Sequence, residues 1–108
     1  MTTELFRAVS QQELNSITET GIFRTIPESL AAKQFGRNLG EVIQLAGFFS
    51  DAVAIVRIRI PQNILNELDL TPVDQPILKS GTVTAHESEQ LNLLNNSLIG
   101  DIELIYSE

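Results

Sequence analysis

The stretch DAVAIVRIRI, Asp51 to Ile60, constrains the fold more than any other part of this 108-residue chain. Val56, Ile58 and Ile60 fall at alternate positions and share one face, while Arg57 and Arg59 share the other with Ile55. That alternation predicts a strand buried on one side and partly solvated on the other. Pro61 closes it and, as a first-turn proline, opens a short helix over Gln62–Leu68. No second run is as long and continuously apolar, and a doubly wound parallel sheet would need several. The sequence therefore predicts one α+β domain over residues 1–108, built from short mixed or antiparallel sheets and several short helices.

Cap and turn signals supply the other elements. Leu5 to Val9 reads as a short buried strand with Arg7 in its middle. Ser10-Gln11-Gln12-Glu13 has the form of a capping box, in which the serine oxygen accepts a first-turn N–H and Glu13 reaches back to the Ser10 N–H. Leu14 and Ile17 follow at helical spacing and Gly21 offers a left-handed stop, which predicts a helix over Ser10–Thr20. Ile22 to Ile26 is short and β-prone and ends at Pro27. Asn38 with Glu41 repeats the cap pattern ahead of an apolar helical face that ends at Gly47. Asp69 to Ser80, with Pro72 and Pro76, reads as a loop, and one of about a dozen residues is more often functional or mobile than incidental. Gly81 to Ala85 is a strand, Ser88 caps a helix reaching Leu94, and Asp101 to Tyr106 is a final alternating strand. The elements run β-α-β-α-β-α-β-α-β.

Charge and residue usage exclude several function classes. Fourteen acids against seven bases give a formal charge of -7, which disfavours non-specific binding to nucleic acid or to an anionic membrane. Four of the seven bases, Arg7, Arg24, Lys33 and Arg37, lie in the first 37 residues, which leaves a locally basic cleft open. There is no cysteine, so disulfides and thiolate chemistry are excluded, and one histidine excludes a multi-histidine metal site. MTTELFRAVS lacks a signal-peptide pattern, and no apolar run approaches the roughly 18 residues of a membrane span. Cytoplasmic residence is the default expectation, with export by a route needing no cleavable signal left open.

Several residues have both a structural and a chemical reading. Arg7 is either a solvated outward side chain or a guanidinium held on a rigid strand, where its donor fork fits a phosphate. The well-capped helix that follows adds partial positive charge nearby. Phe35 is a core anchor on the simplest reading. Glu103, between Ile102 and Leu104, is either an outward strand residue or a carboxylate that stabilises a cationic transition state. Arg57 and Arg59 suit the solvent face of a sheet. His86, in TAHESE, is either a solvated residue near a helix start or the base of a small RNase. GRNLGE lacks the lysine and hydroxyl of a phosphate-binding loop.

Together LFRAVS, TGIF, AAKQFGRNLGEVIQLA and VAIVRIRIP resemble the small C-terminal ADP-ribosyltransferase-like domains of bacterial polymorphic toxins. The resemblance runs from Leu5 to Pro61, with a looser echo from Ser80 onward. It implies an ADP-ribosyltransferase-like fold and NAD as cofactor, with Arg7 on the pyrophosphate and Phe35 beside the nicotinamide-ribose. Glu103 would assist cleavage of the glycosidic bond, and ADP-ribose would pass to a macromolecular target. The Ser-Thr-Ser stretch usual in that family is missing, and the Glu-x-Glu spacing of the last third occurs here only in HESE. A non-catalytic acidic interaction module of the same fold class, of immunity or regulatory type, is the alternative reading. A small RNase using His86 is the third. The expected partners are a toxin target or cognate immunity protein, or a second copy paired through the final strand; no metal is implied.

Overall fold

The computed structural model describes residues 1–24 and 32–107. It is a small α+β domain in which strands and helices alternate: β1 (Thr2–Ser10), α1 (Gln11–Thr20), β2 (Lys33–Gly36), α2 (Leu39–Ala46), β3 (Ala52–Pro61), α3 (Gln62–Leu65), β4 (Thr82–Ala85), α4 (Glu89–Asn96) and β5 (Glu103–Ser107). The strands form one five-stranded sheet in the order β4-β2-β1-β3-β5. Every neighbouring pair is antiparallel, which settles the mixed-or-antiparallel alternative. Among the described residues no helix is long and apolar enough to cross a membrane.

The alternation in DAVAIVRIRI does what its period requires. Leu5 pairs with Ile58, Arg7 with Val56 and Val9 with Ala54, so these six share one face of the sheet. Helices α1, α3 and α4 close that face with Ile17, Leu65, Leu91 and Leu94, around Phe23, Phe35 and Val83. Phe6 and Ile55 point the other way and are covered by Val42 and Leu45 of α2 and by Leu78 of the loop before β4. The sheet is thus buried on both sides at its middle. Burial of each such side chain contributes on the order of 1.5–3 kcal/mol before the ordering cost is subtracted.

The predicted strand at Ile22–Ile26 is not where the second strand forms. Ile22 to Arg24 is irregular, and Thr25 and Ile26 lie outside the described residues. The second strand is Lys33–Gly36, which pairs with β4 through Lys33↔Ala85 and Phe35↔Val83. Four residues with a lysine, a glutamine and a glycine carry no local β signal, and pairing with TVTA decides their conformation. Helix α3 is shorter than predicted, because Glu67 and Leu68 donate to Ile64 and Leu65 in tight i to i−3 turns at 2.9 and 3.2 Å. Helix α4 extends to Asn96, and Ser88 makes no side-chain cap bond to it.

Gly36 marks the closest approach between β2 and α2. A methyl group there would sit 2.4 Å from Val42 Cγ2 and 3.3 Å from Leu78 Cδ2. Gly36→Ala is therefore expected to destabilise the domain by about 1–3 kcal/mol through overpacking. Its effect should be less than additive with Val42→Ala, which vacates the same space. Urea unfolding of the two single variants and the double variant measures this. An unchanged midpoint for Gly36→Ala would show that α2 does not bear on β2 at this point.

Candidate functional site

β1 and β2 pair at Phe6↔Gly36, and beyond that position Arg7 Nη1 donates to the Gln34 carbonyl at 2.9 Å. Where the strands part, a cleft of about 640 Å³ opens, lined on its floor by Arg7, Glu13 and Phe35. Asp69, Thr71 and Val73 from the loop before β4 line it as well, as do Phe49 and Asp51 from the α2–β3 turn. The long loop flagged in the sequence is thus part of the cleft wall. Thr84 and His86 complete that side.

Arg7 is turned inward, with its side chain 17% exposed. Its Nε donates to Glu13 Oε2 at 2.6 Å and its Nη2 to Oε1 at 2.8 Å, a fork-on-carboxylate pair. Glu13 belongs to the predicted capping box, but only half of the box forms. Ser10 Oγ accepts from the Glu13 N–H at 3.2 Å, while the Glu13 carboxylate turns away to Arg7 and to Lys33 Nζ, 3.4 Å off. Lys33 is fully buried. Burial alone would raise the Glu13 pKa, but the Arg7 hydrogen bond and charge and the Lys33 charge outweigh it and hold the carboxyl below its ordinary value. Burial also lowers the Lys33 pKa, against the opposing pull of Glu13.

Phe35 is buried beneath the guanidinium, its centroid 5.9 Å from Arg7 Cζ. It packs edge-on against Phe23, with ring centroids 5.2 Å apart. Arg7 and Phe35 therefore come together at one cleft, and Glu103 does not join them. Glu103 pairs with Arg57, which neighbours Val56 along β3, so it stands on the opposite face of the sheet from Arg7. There it accepts from Arg57 Nη2 at 2.8 Å and from Arg59 Nη1 at 3.3 Å, and Arg59 Nε also donates to Glu4 at 3.2 Å. The hydrogen bond from Arg57 and the two positive charges keep the Glu103 pKa below the usual carboxylate value. The expected solvent-face arginines are thus neutralised across the strands.

The cleft is not locally basic among the described residues. Arg7 is the one lysine or arginine among the described lining residues, against the acids Glu13, Asp51 and Asp69. His86 is not an isolated cap-proximal side chain, because its Nε2 lies 2.7 Å from Asp69 Oδ2. Hydrogen bonds from Thr71 and from His86 hold the Asp69 pKa down at about 2. The Arg7–Glu13 and Asp69–His86 pairs went unrecognised in the sequence. An S-x-x-E box has a ready local explanation, and Asp69 and His86 are separated by the loop that brings them together. Among the described residues no group of acids and histidine is arranged to hold a metal ion.

Glu13→Gln should leave the buried Lys33 and the half-buried Arg7 facing a neutral amide and cost about 3 kcal/mol or more. The sign with pH follows from the depressed carboxyl. The contribution of Glu13 is fully present above its unfolded value of 4.5 and is lost as the pH falls through its lower folded value. Urea midpoints taken from pH 7 to pH 3 should show the variant losing less stability on acidification than wild type. Equal acid sensitivity would deny Glu13 this role.

No protein-family model, curated protein or solved structure matches this chain.

Proposed function

We propose that the chain is an ADP-ribosyltransferase-like domain that binds NAD in the cleft between β1 and β2. The observation that carries this reading is the state of Arg7, a guanidinium fixed on the central strand at a cleft floor. A guanidinium has five N–H donors, and three of them are committed, two to Glu13 and one to Gln34. The remaining N–H groups are available to a phosphate oxygen, and the Glu13 pair holds the group in place for it.

Size agrees with this. The cleft volume of about 640 Å³ falls in the range of small-molecule and cofactor sites. A lining with one arginine and three acids suits a ligand of mixed charge, and NAD carries both a pyrophosphate and a cationic nicotinamide ring. Phe35 is buried against Phe23 and serves as floor, whereas Phe49, partly exposed at the same cleft, is the aromatic face free to stack on a ring. Glu103 takes no part in this arrangement, and the carboxylates that reach the ligand are those of the cleft itself.

Calorimetric titration tests the reading. Wild type should bind NAD. Arg7→Lys, which keeps the charge and loses the fork, should weaken binding about tenfold or more. Glu103→Gln, on the far face, should leave the affinity unchanged. Absence of any NAD binding to wild type ends the proposal.

The acidic interaction module keeps one observation in its favour. Leu104 and Tyr106 on edge strand β5 are 54% and 41% exposed, beside a backbone edge open to a partner strand. Leu104→Lys should then abolish association with that partner or a second copy, as read by sedimentation. A wild type that stays monomeric and gains no partner strand would remove this second reading.

A further inference from the structure

Asp69 is held more tightly than a loop residue needs to be. Its N–H donates to the Thr84 carbonyl at 3.0 Å and its carbonyl accepts from the Thr84 N–H at 2.8 Å, so its backbone is bridged to β4. Its Oδ1 accepts from the Thr71 N–H at 2.9 Å, which leaves Oδ2 aimed at His86 Nε2, 2.7 Å away. His86 is equally well placed, one residue past the end of β4. Its backbone N–H donates to Gln90 Oε1 at 3.1 Å, and Gln90 Nε2 in turn donates to the Glu67 carbonyl at 3.1 Å. A carboxylate fixed from three directions thus orients an imidazole whose side chain is 52% exposed and which lines the cleft.

The partner of Nε2 decides the tautomer. An ionised carboxylate only accepts, so Nε2 carries the proton and donates it to Asp69. In the neutral imidazole Nδ1 then holds the lone pair, and it has no hydrogen-bond partner among the described residues. An oriented imidazole with an open basic nitrogen at a ligand cleft is the arrangement a general base requires.

We propose that His86, positioned by Asp69, is the general base that activates water against the N-glycosidic bond of NAD; this rests on the NAD reading above. As the water oxygen bonds to the anomeric carbon of the nicotinamide-ribose, its proton passes to His86 Nδ1. The bond from that carbon to the ring nitrogen breaks, and its electron pair leaves with nicotinamide, which becomes neutral. ADP-ribose and nicotinamide are the products, and His86 returns its proton to solvent. His86 is the catalytic residue and Asp69 a positioning residue.

Nicotinamide release from NAD, followed by chromatography beside calorimetric binding of NAD, tests this in wild type, His86→Gln and Asp69→Asn. Wild type should release nicotinamide. His86→Gln, altered at an exposed side chain, should keep its affinity and lose about a hundredfold or more in kcat. Asp69→Asn turns an amide donor toward Nε2, which places the proton on Nδ1, so kcat should fall with KM little changed. A residue that merely pinned the loop would instead change KM or thermal stability. Undiminished turnover by His86→Gln, or a wild type that binds NAD and releases no nicotinamide, overturns the inference while leaving the NAD reading standing. A wild type that binds no NAD overturns both.

Discussion

The pairing of Arg7 with Glu13 is the interaction on which the arrangement of this domain turns. A guanidinium in the middle of a central strand, on the face that also carries Leu5 and Val9, has to be answered by an acid or exposed to water. Glu13 answers it from the first turn of α1, and the Ser10 cap fixes where that turn begins. The same carboxylate accounts for Lys33, which β2 buries completely. One anion between two cations is an uneven balance, and the Gln34 carbonyl relieves it by accepting from Arg7. That contact occupies the space where a β1–β2 ladder would otherwise continue.

The two faces of the sheet use charge in different ways. Inside, the Arg7–Glu13–Lys33 cluster is costly to disturb because Lys33 is fully buried and Glu13 nearly so, and a lost partner would leave Lys33 without its counter-charge. Outside, Arg57 and Arg59 alternate with Glu4 and Glu103 across three strands, partly exposed and screened, where each such pair contributes little. Arg57 Nε, buried without a partner, is the one loose end in that cluster among the described residues. A carboxylate held there by two arginines is suited to keeping an uncovered sheet face neutral, and it stands on the face of the sheet opposite Arg7.

Much of the fold could be read locally. β3 and β5 announce themselves by alternation, β1 by its short apolar run, and α1 and α2 by their caps: Ser10 and Asn38 both accept from the N–H three residues on, at 3.2 and 3.0 Å. Gly21 takes the left-handed conformation that ends α1, with φ at 74°. What resisted reading was β2, because Lys33–Gly36 becomes a strand only by lying between β1 and β4. Arg7 and Phe35 were legible as a pair of candidates. Their depth was not, since whether a strand residue faces core or solvent depends on which elements close over it.

The sequence by itself determined every strand but β2, the four helices, and the central place of an alternating apolar strand, because periodicity and capping are local properties of the chain. Only the tertiary structure decided which charges meet. Glu13 left its helix cap for Arg7, Asp69 crossed a loop to His86, and Glu103 was drawn to the far face by Arg57 and Arg59. Side chains that far apart in sequence choose partners by proximity in space and by the cost of remaining unpaired, and neither quantity exists until the sheet has formed.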